Sequence, residues 1–164
     1  MDVIVYGAVC PRGEEHEAAY RLLGFALERE LGVAPLPALA RAPGGKPYFP
    51  DRGEIYFNLS HSHGGIVCAL HDRPIGIDIE KRRPAPKRLA AGRTEGEFFR
   101  LWTAREASVK RDGLGIGGLI KFSPPDSNCI YLEGFLDGWH VTVCPSEAGC
   151  AVRTVIIEAA LLSP

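Results

Sequence analysis

A chain of 164 residues, 46% apolar and 24% charged, has the make-up of a soluble globular protein with enough apolar material for a core, folded as one domain or two small packed halves. A net charge of −1 excludes a global basic footprint for nucleic acid, and no apolar run approaches the length that spans a bilayer. The opening residues lack a basic n-region, so no signal peptide and no membrane partner are expected. Cys10, Cys68, Cys129, Cys144 and Cys150 are odd in number and have no CxxC spacing, which reads as reduced core thiols of a cytoplasmic protein. A Cys144–Cys150 hairpin disulfide is the lesser alternative.

In chain order, residues 3–9 (VIVYGAV) predict a strand, and residues 14–31 predict a helix whose apolar face is Ala19, Leu22, Leu23, Ala26, Leu27 and Leu31. Gly32 and Pro35 end it. The Pro- and Gly-rich stretch 34–54 predicts a loop holding one short strand. Strands at 55–59 and 66–72 flank SHSHGG, and a further strand follows in RPIGIDIE. From Lys81 to Arg93 there are six basic residues (Lys81, Arg82, Arg83, Lys87, Arg88, Arg93) and no acid. A helix over 95–111 comes next, broken by GLGIGG. The segments KFS, CIYLEGFL, WHVTVCP and CAVRTVIIEA predict a β-meander with Asp137-Gly138 as a hairpin turn. The fold class is α+β, with one long helix and a few strands in each half, 1–73 and 74–164.

Three acids carry the most information. Side chains two apart in a strand point the same way, so Asp78 and Glu80 of IGIDIE share a face about 7 Å apart. Trp102, Glu106 and Lys110 in WTAREASVK lie at i, i+4, i+8 on one helical stripe. If the stripe faces the strand, three carboxylates meet beside an amine, an oxygen set that suits a divalent metal holding phosphate. The competing reading is an exposed strand end and a solvated helix face. Lys46 of Gly44-Gly45-Lys46-Pro47 sits on a loop whose glycines allow close backbone approach to a ligand, or it is a solvated loop lysine. Ser60, His61, Ser62 and His63 follow a strand; a phosphate pocket ranks first, a polar turn second, and zinc on His61 and His63 with His71 or His140 third. Arg105 adds a bidentate phosphate donor, and Trp102 and Phe98 read as core.

The order GGKP, FNLSHS, IGIDIE, WTAREASVK, spanning residues 44–115, resembles the 4′-phosphopantetheinyl transferases, specifically the longer pseudo-dimeric group. The resemblance implies two related α+β halves packed as a monomeric pseudo-dimer, with coenzyme A bound between them. It implies transfer of the 4′-phosphopantetheine arm to a serine of an acyl or peptidyl carrier protein, with release of 3′,5′-ADP. By resemblance, Asp78, Glu80 and Glu106 hold Mg²⁺. Lys46, Ser60 and His61 bind the nucleotide end, with Arg105 as a further phosphate contact. Glu106 helps deprotonate the carrier serine and Lys110 assists the leaving group. The departures are Arg105, where the family usually has lysine, a short first half, and a short connection from Glu80 to Trp102. In that connection the basic run 81–93 replaces the segment that meets the acidic carrier, or is a solvated linker. The alternative functions are a degenerate homologue that binds coenzyme A without turnover, and a zinc hydrolase built on the histidines.

Overall fold

The computed structural model describes residues 1–90, 92–115 and 126–162. The apolar run 3–9 forms β1 (Val3–Val9), which is buried on both faces. It lies inside a four-stranded sheet of order β4 (Tyr56–Ser62), β5 (Gly65–His71), β1, β9 (Val152–Ile156). Alternation sends Ile4, Tyr6 and Ala8 to one side and Val3 and Val5 to the other. The first side is covered by α1 (Glu15–Leu31), which buries Ala18, Ala19, Leu22, Leu23, Ala26 and Leu27 on it. Gly32, in the left-handed conformation, ends this helix by donating its N–H to Glu28 O at 3.0 Å. The loop after it holds two short strands, β2 (Ala40–Arg41) and β3 (Pro47–Tyr48), paired around the Gly44-Gly45-Lys46 tip.

The second face of that sheet meets a three-stranded one of order β6 (Ile75–Lys81), β8 (Trp139–Pro145), β7 (Ile130–Tyr131). Ile75, Ile77 and Ile79 join Val3, Val5, Val67, Ala69, Val141 and Val143 in one buried cluster. The same alternation turns Gly76, Asp78 and Glu80 to the opposite face, against α3 (Glu95–Asp112). The helix opens on a capping box: Thr94 Oγ1 accepts from Glu97 N, and Glu97 Oε2 accepts from Thr94 N at 2.8 Å. Phe99, Thr103, Ala104 and Ala107 are its buried stripe, with Thr103 and Thr142 hydroxyls 2.7 Å apart. A short α2 (Lys87–Ala90) interrupts the basic run. The architecture is α+β.

Several expectations are corrected. β9 does not continue a meander beside β8; it crosses to pair parallel with β1, from Val3↔Val152 to Gly7↔Ile156. Its alternating, half-exposed pattern suits a sheet edge, so a strand from beyond residue 74 completes the sheet of the first half. CIYLEGFL gives only the two residues of β7, because Gly134 and Gly138 take positive φ and bend the chain. Phe135 from that bend packs on Gly7, where a Cβ would lie 2.7 Å from its ring. KFS lies outside the described residues. β4 runs on through Ser60, His61 and Ser62, leaving a two-residue turn at His63 (φ 49°) and Gly64 (φ 85°), the left-handed pair that a tight hairpin requires. All five cysteines are free. Cys144 Sγ faces Cys129 Sγ at 2.6 Å, whereas Cys150 Sγ points to Glu147 O at 3.5 Å, so no Cys144–Cys150 bridge is present. Trp102 is half-buried and stacks on Phe98 instead of joining the core.

Candidate active site at the seam between the sheets

β4 and β6 belong to different sheets, and side chains of β4 stitch them together. Asn58 Oδ1 accepts from Ile77 N at 2.8 Å, Ser60 Oγ donates to Asp78 Oδ1 at 3.0 Å, and Ser62 Oγ donates to Glu80 Oε2 at 3.3 Å. Trp139 Nε1 closes the end of the seam on Ser62 O at 2.7 Å. Gly65 makes room for that ring, since a Cβ there would lie 2.5 Å from Trp139 Nε1.

α3 then brings its polar stripe onto the seam. Lys110 Nζ donates to Asp78 Oδ1 at 2.6 Å and to Ser60 Oγ at 2.8 Å. The close seating depends on Gly76, where a Cβ would fall 1.9 Å from Ala107 O. Asp78 is 5% exposed, and its second oxygen, Oδ2, is buried without a hydrogen bond. Burial pushes the Asp78 carboxyl above the usual range, with Lys110 pulling it down. Glu106, one turn before Lys110, is also raised, first by burial and then by the Asp78 charge. Glu80 is half-buried, with Arg83 NH2 at 3.5 Å. The three acids are thus neighbours on one surface, but among the described residues they do not form a set of three ligand atoms all within 4.8 Å.

Beside the seam lies a cleft of about 250 Å³ whose lining includes Gly44, Lys46, Asn58, Glu106, Lys110 and Gly113. The loop glycines serve packing here: a Cβ on Gly44 would sit 1.8 Å from Gly113 O at the end of α3. Lys46 Nζ donates to Ile75 O and Arg111 O, both at 2.9 Å, and burial pulls its pKa down to about 8. Ser60 and His61 are adjacent in a strand and therefore point to opposite faces. Ser60 turns to Asp78, while His61 turns to the start of α1, its ring 6.3 Å from that of His16. Partial burial holds the His61 imidazole below its ordinary value. Arg105 is partly buried on α3, outside the residues that line the cleft. His61, His63, His71 and His140 do not converge. His140 stacks on Phe99 and its Nδ1 bonds Tyr131 at 2.8 Å, while a ring nitrogen of His71 groups with Glu147 and Cys150.

The sequence reading missed the link from Ser60 to Asp78 and Lys110, and the part of Asn58. Period-two alternation of FNLSHS was the available signal: it sets Asn58, Ser60 and Ser62 on one face, ready for a partner strand that carries IGIDIE.

No family model matches the chain. It is 35% identical over 131 residues to the 4′-phosphopantetheinyl transferase Sfp of Bacillus subtilis strain 168, covering 70% of this chain and 55% of that protein. It is 34% identical over 134 residues to the 4′-phosphopantetheinyl transferase psf-1 of Bacillus pumilus, covering 71% and 54%. It is 34% identical over 100 residues to the 4′-phosphopantetheinyl transferase AcpT of Salmonella typhimurium strain LT2, covering 49% and 52%. The chain spans about half the length of the curated relatives it matches.

Proposed function

Because the chain belongs to the 4′-phosphopantetheinyl transferase superfamily, we propose that it moves the 4′-phosphopantetheine arm of coenzyme A onto a serine of an acyl or peptidyl carrier protein. The observation that carries this reading is the contact of Lys110 with Asp78 and Ser60 beside Glu106, at the edge of a cleft between the β2–β3 tip, β4 and α3. The donors suit a hard divalent ion: carboxylate oxygens are what Mg²⁺ takes, and Asp78 Oδ2 is buried with no partner of its own. Asp78, Glu80 and Glu106 would hold Mg²⁺, which when bound would neutralise charge on the pyrophosphate.

The chain's own residues then have distinct tasks. The carrier serine Oγ attacks the phosphorus that bears the pantetheine arm, and the phosphoanhydride bond to 3′,5′-ADP breaks. Glu106, whose carboxyl burial holds above its ordinary value, takes the serine proton. Lys110 offsets the charge that grows on the departing phosphate. Lys46, Ser60, His61 and Arg105 are assigned to the nucleotide end. Transfer of this kind rests on positioning and charge neutralisation, which fits a site built from acids and amines. The exposed Arg82, Arg83, Arg88 and Arg93 follow β6 and offer positive charge to an acidic carrier. Each sheet carries one long helix, which supports a pseudo-dimer acting as a monomer. Among the described residues no helix is long and apolar enough to cross a membrane, and we assign the reaction to the cytoplasm.

A second reading is a homologue that binds coenzyme A without turnover. Glu106→Gln separates the two. Calorimetric coenzyme A binding should stay within a few-fold while transfer falls by about 10²–10⁴. A wild-type chain that binds coenzyme A yet modifies neither acyl nor peptidyl carriers would establish the second reading.

A further inference from the structure

At the far end of β5, away from the cleft, a ring nitrogen of His71, a carboxylate oxygen of Glu147 and Sγ of Cys150 lie within 4.8 Å of one another. The three come from different places in the chain. His71 ends β5, whereas Glu147 and Cys150 sit on the loop that leaves β8 and carries the chain across to β9. That loop is tied at both sides of the cluster: Ser146 N donates to Pro74 O at 3.1 Å, and Val3 N donates to Ala151 O at 2.9 Å.

His71 is the informative member. It is 1% exposed, and its Nδ1 is buried without any hydrogen bond. A buried polar nitrogen with no partner forfeits its hydrogen bond to water without replacement, so it calls for an occupant. Its other nitrogen, Nε2, faces Asp72 Oδ1 at 3.4 Å. A carboxylate on one imidazole nitrogen and an unpartnered other nitrogen is the arrangement that orients a metal-binding histidine. Cys150 is partly buried and its thiol makes only a long contact to Glu147 O at 3.5 Å. Glu147 is reached from solvent and pairs with Arg73 at 3.1 Å, so its carboxylate can turn from one cation to another.

From this cluster we propose that His71, Glu147 and Cys150 form a binding site for a borderline-soft divalent cation of the zinc class, separate from the seam between the sheets. One imidazole, one carboxylate and one thiolate are a zinc set, with a water in the fourth position. Mg²⁺, which takes oxygen, has no claim on it. Bonds of about 2.0–2.3 Å in a tetrahedron put ligand atoms about 3.6 Å apart, a contraction that the exposed Glu147 side chain supplies. The thiol proton leaves to solvent as the metal binds. The bound ion would staple the β8–β9 crossing to the end of β5 and so fix the strand that completes the first sheet.

The test uses the whole chain and cobalt(II) as a spectroscopic stand-in, with zinc in parallel. The wild type should develop a saturable near-ultraviolet thiolate-to-cobalt charge-transfer band with Co²⁺, displaced by Zn²⁺, and Zn²⁺ should raise the melting temperature. Cys150→Ser, a conservative change at a partly exposed site, should remain folded, lose the band and lose at least tenfold in Zn²⁺ affinity. Asp78→Asn should keep both. No band in the wild type, a band that survives Cys150→Ser, or a band lost in Asp78→Asn would each overturn the site.

Discussion

Replacing Gly76 with alanine should damage stability and activity together, by amounts that follow from one close approach. The added Cβ would stand 1.9 Å from Ala107 O and 2.6 Å from Arg111 N, both main-chain atoms of α3 that no rotamer change can relieve. Restoring ordinary contact requires the helix to rise from β6 by about 1.5 Å. Overpacking of this kind costs typically about 1–3 kcal/mol, and a clash of backbone on backbone belongs at the upper end. The same rise lifts Lys110 off Asp78 and Ser60 and carries Glu106 with it. A displacement of about 1 Å at reacting groups costs about 10²-fold in rate. Urea unfolding followed by tryptophan fluorescence should show a lower midpoint with an unchanged slope, and carrier modification should fall by about two orders of magnitude. Gly24→Ala in α1 is the control: nothing lies within 4 Å of the new Cβ, and the variant should gain about 0.4–1 kcal/mol. A Gly76→Ala protein with wild-type midpoint and rate would refute the claim that α3 seated on β6 sets the site.

The Asp78–Lys110 pair should be asymmetric. Asp78→Ala leaves Lys110, 30% exposed, free to turn to water, so the fold survives while transfer is lost. Lys110→Met strands a buried carboxylate and should cost about 3 kcal/mol or more in chemical denaturation, a loss largely recovered in the double variant. Lys46, with a folded pKa of about 8 against about 10.4 in an unfolded chain, binds fewer protons folded than unfolded between those values. Stability should therefore rise with pH across that window, and Lys46→Met should flatten the rise; a pH series of melting curves decides it. Cys129, the residue before β7, and Cys144 of β8, with sulfurs 2.6 Å apart, should close a disulfide on mild diamide treatment. Intact mass should fall by two hydrogens, and Cys144→Ser should abolish the change.

Much of this was legible from local pattern. The short, β-branched apolar run VIVYGAV, the 95–111 stripe and the alternation of IGIDIE each suit one element type, so β1, α3 and β6 match the expected segments nearly to the residue, with Asp78 and Glu80 on one face. What local pattern cannot carry is which edges meet. VRTVI reads equally well as a meander strand beside β8 or as an edge strand beside β1, and the choice is made by the free edge of β1, far away in sequence. The site shows the same limit. Glu106 and Lys110 were placed on one stripe, but that Ser60 would be held by Asp78 and Lys110, with His61 turned away, depends on β4 lying beside β6. Gly44 and Lys46 read as ligand-facing because glycine permits close approach, and both line the cleft; what no spacing rule identifies is that Gly44 also seats on Gly113 and Lys46 Nζ on the carbonyls of Ile75 and Arg111.

The most direct test of the central claim is the intact mass of an apo acyl carrier protein after incubation with this chain, coenzyme A and Mg²⁺, repeated with an apo peptidyl carrier protein. The mass of one phosphopantetheine arm should be added, with the gain absent in EDTA and in Asp78→Ala. Carriers that remain unmodified in the presence of a chain that binds coenzyme A would contradict it.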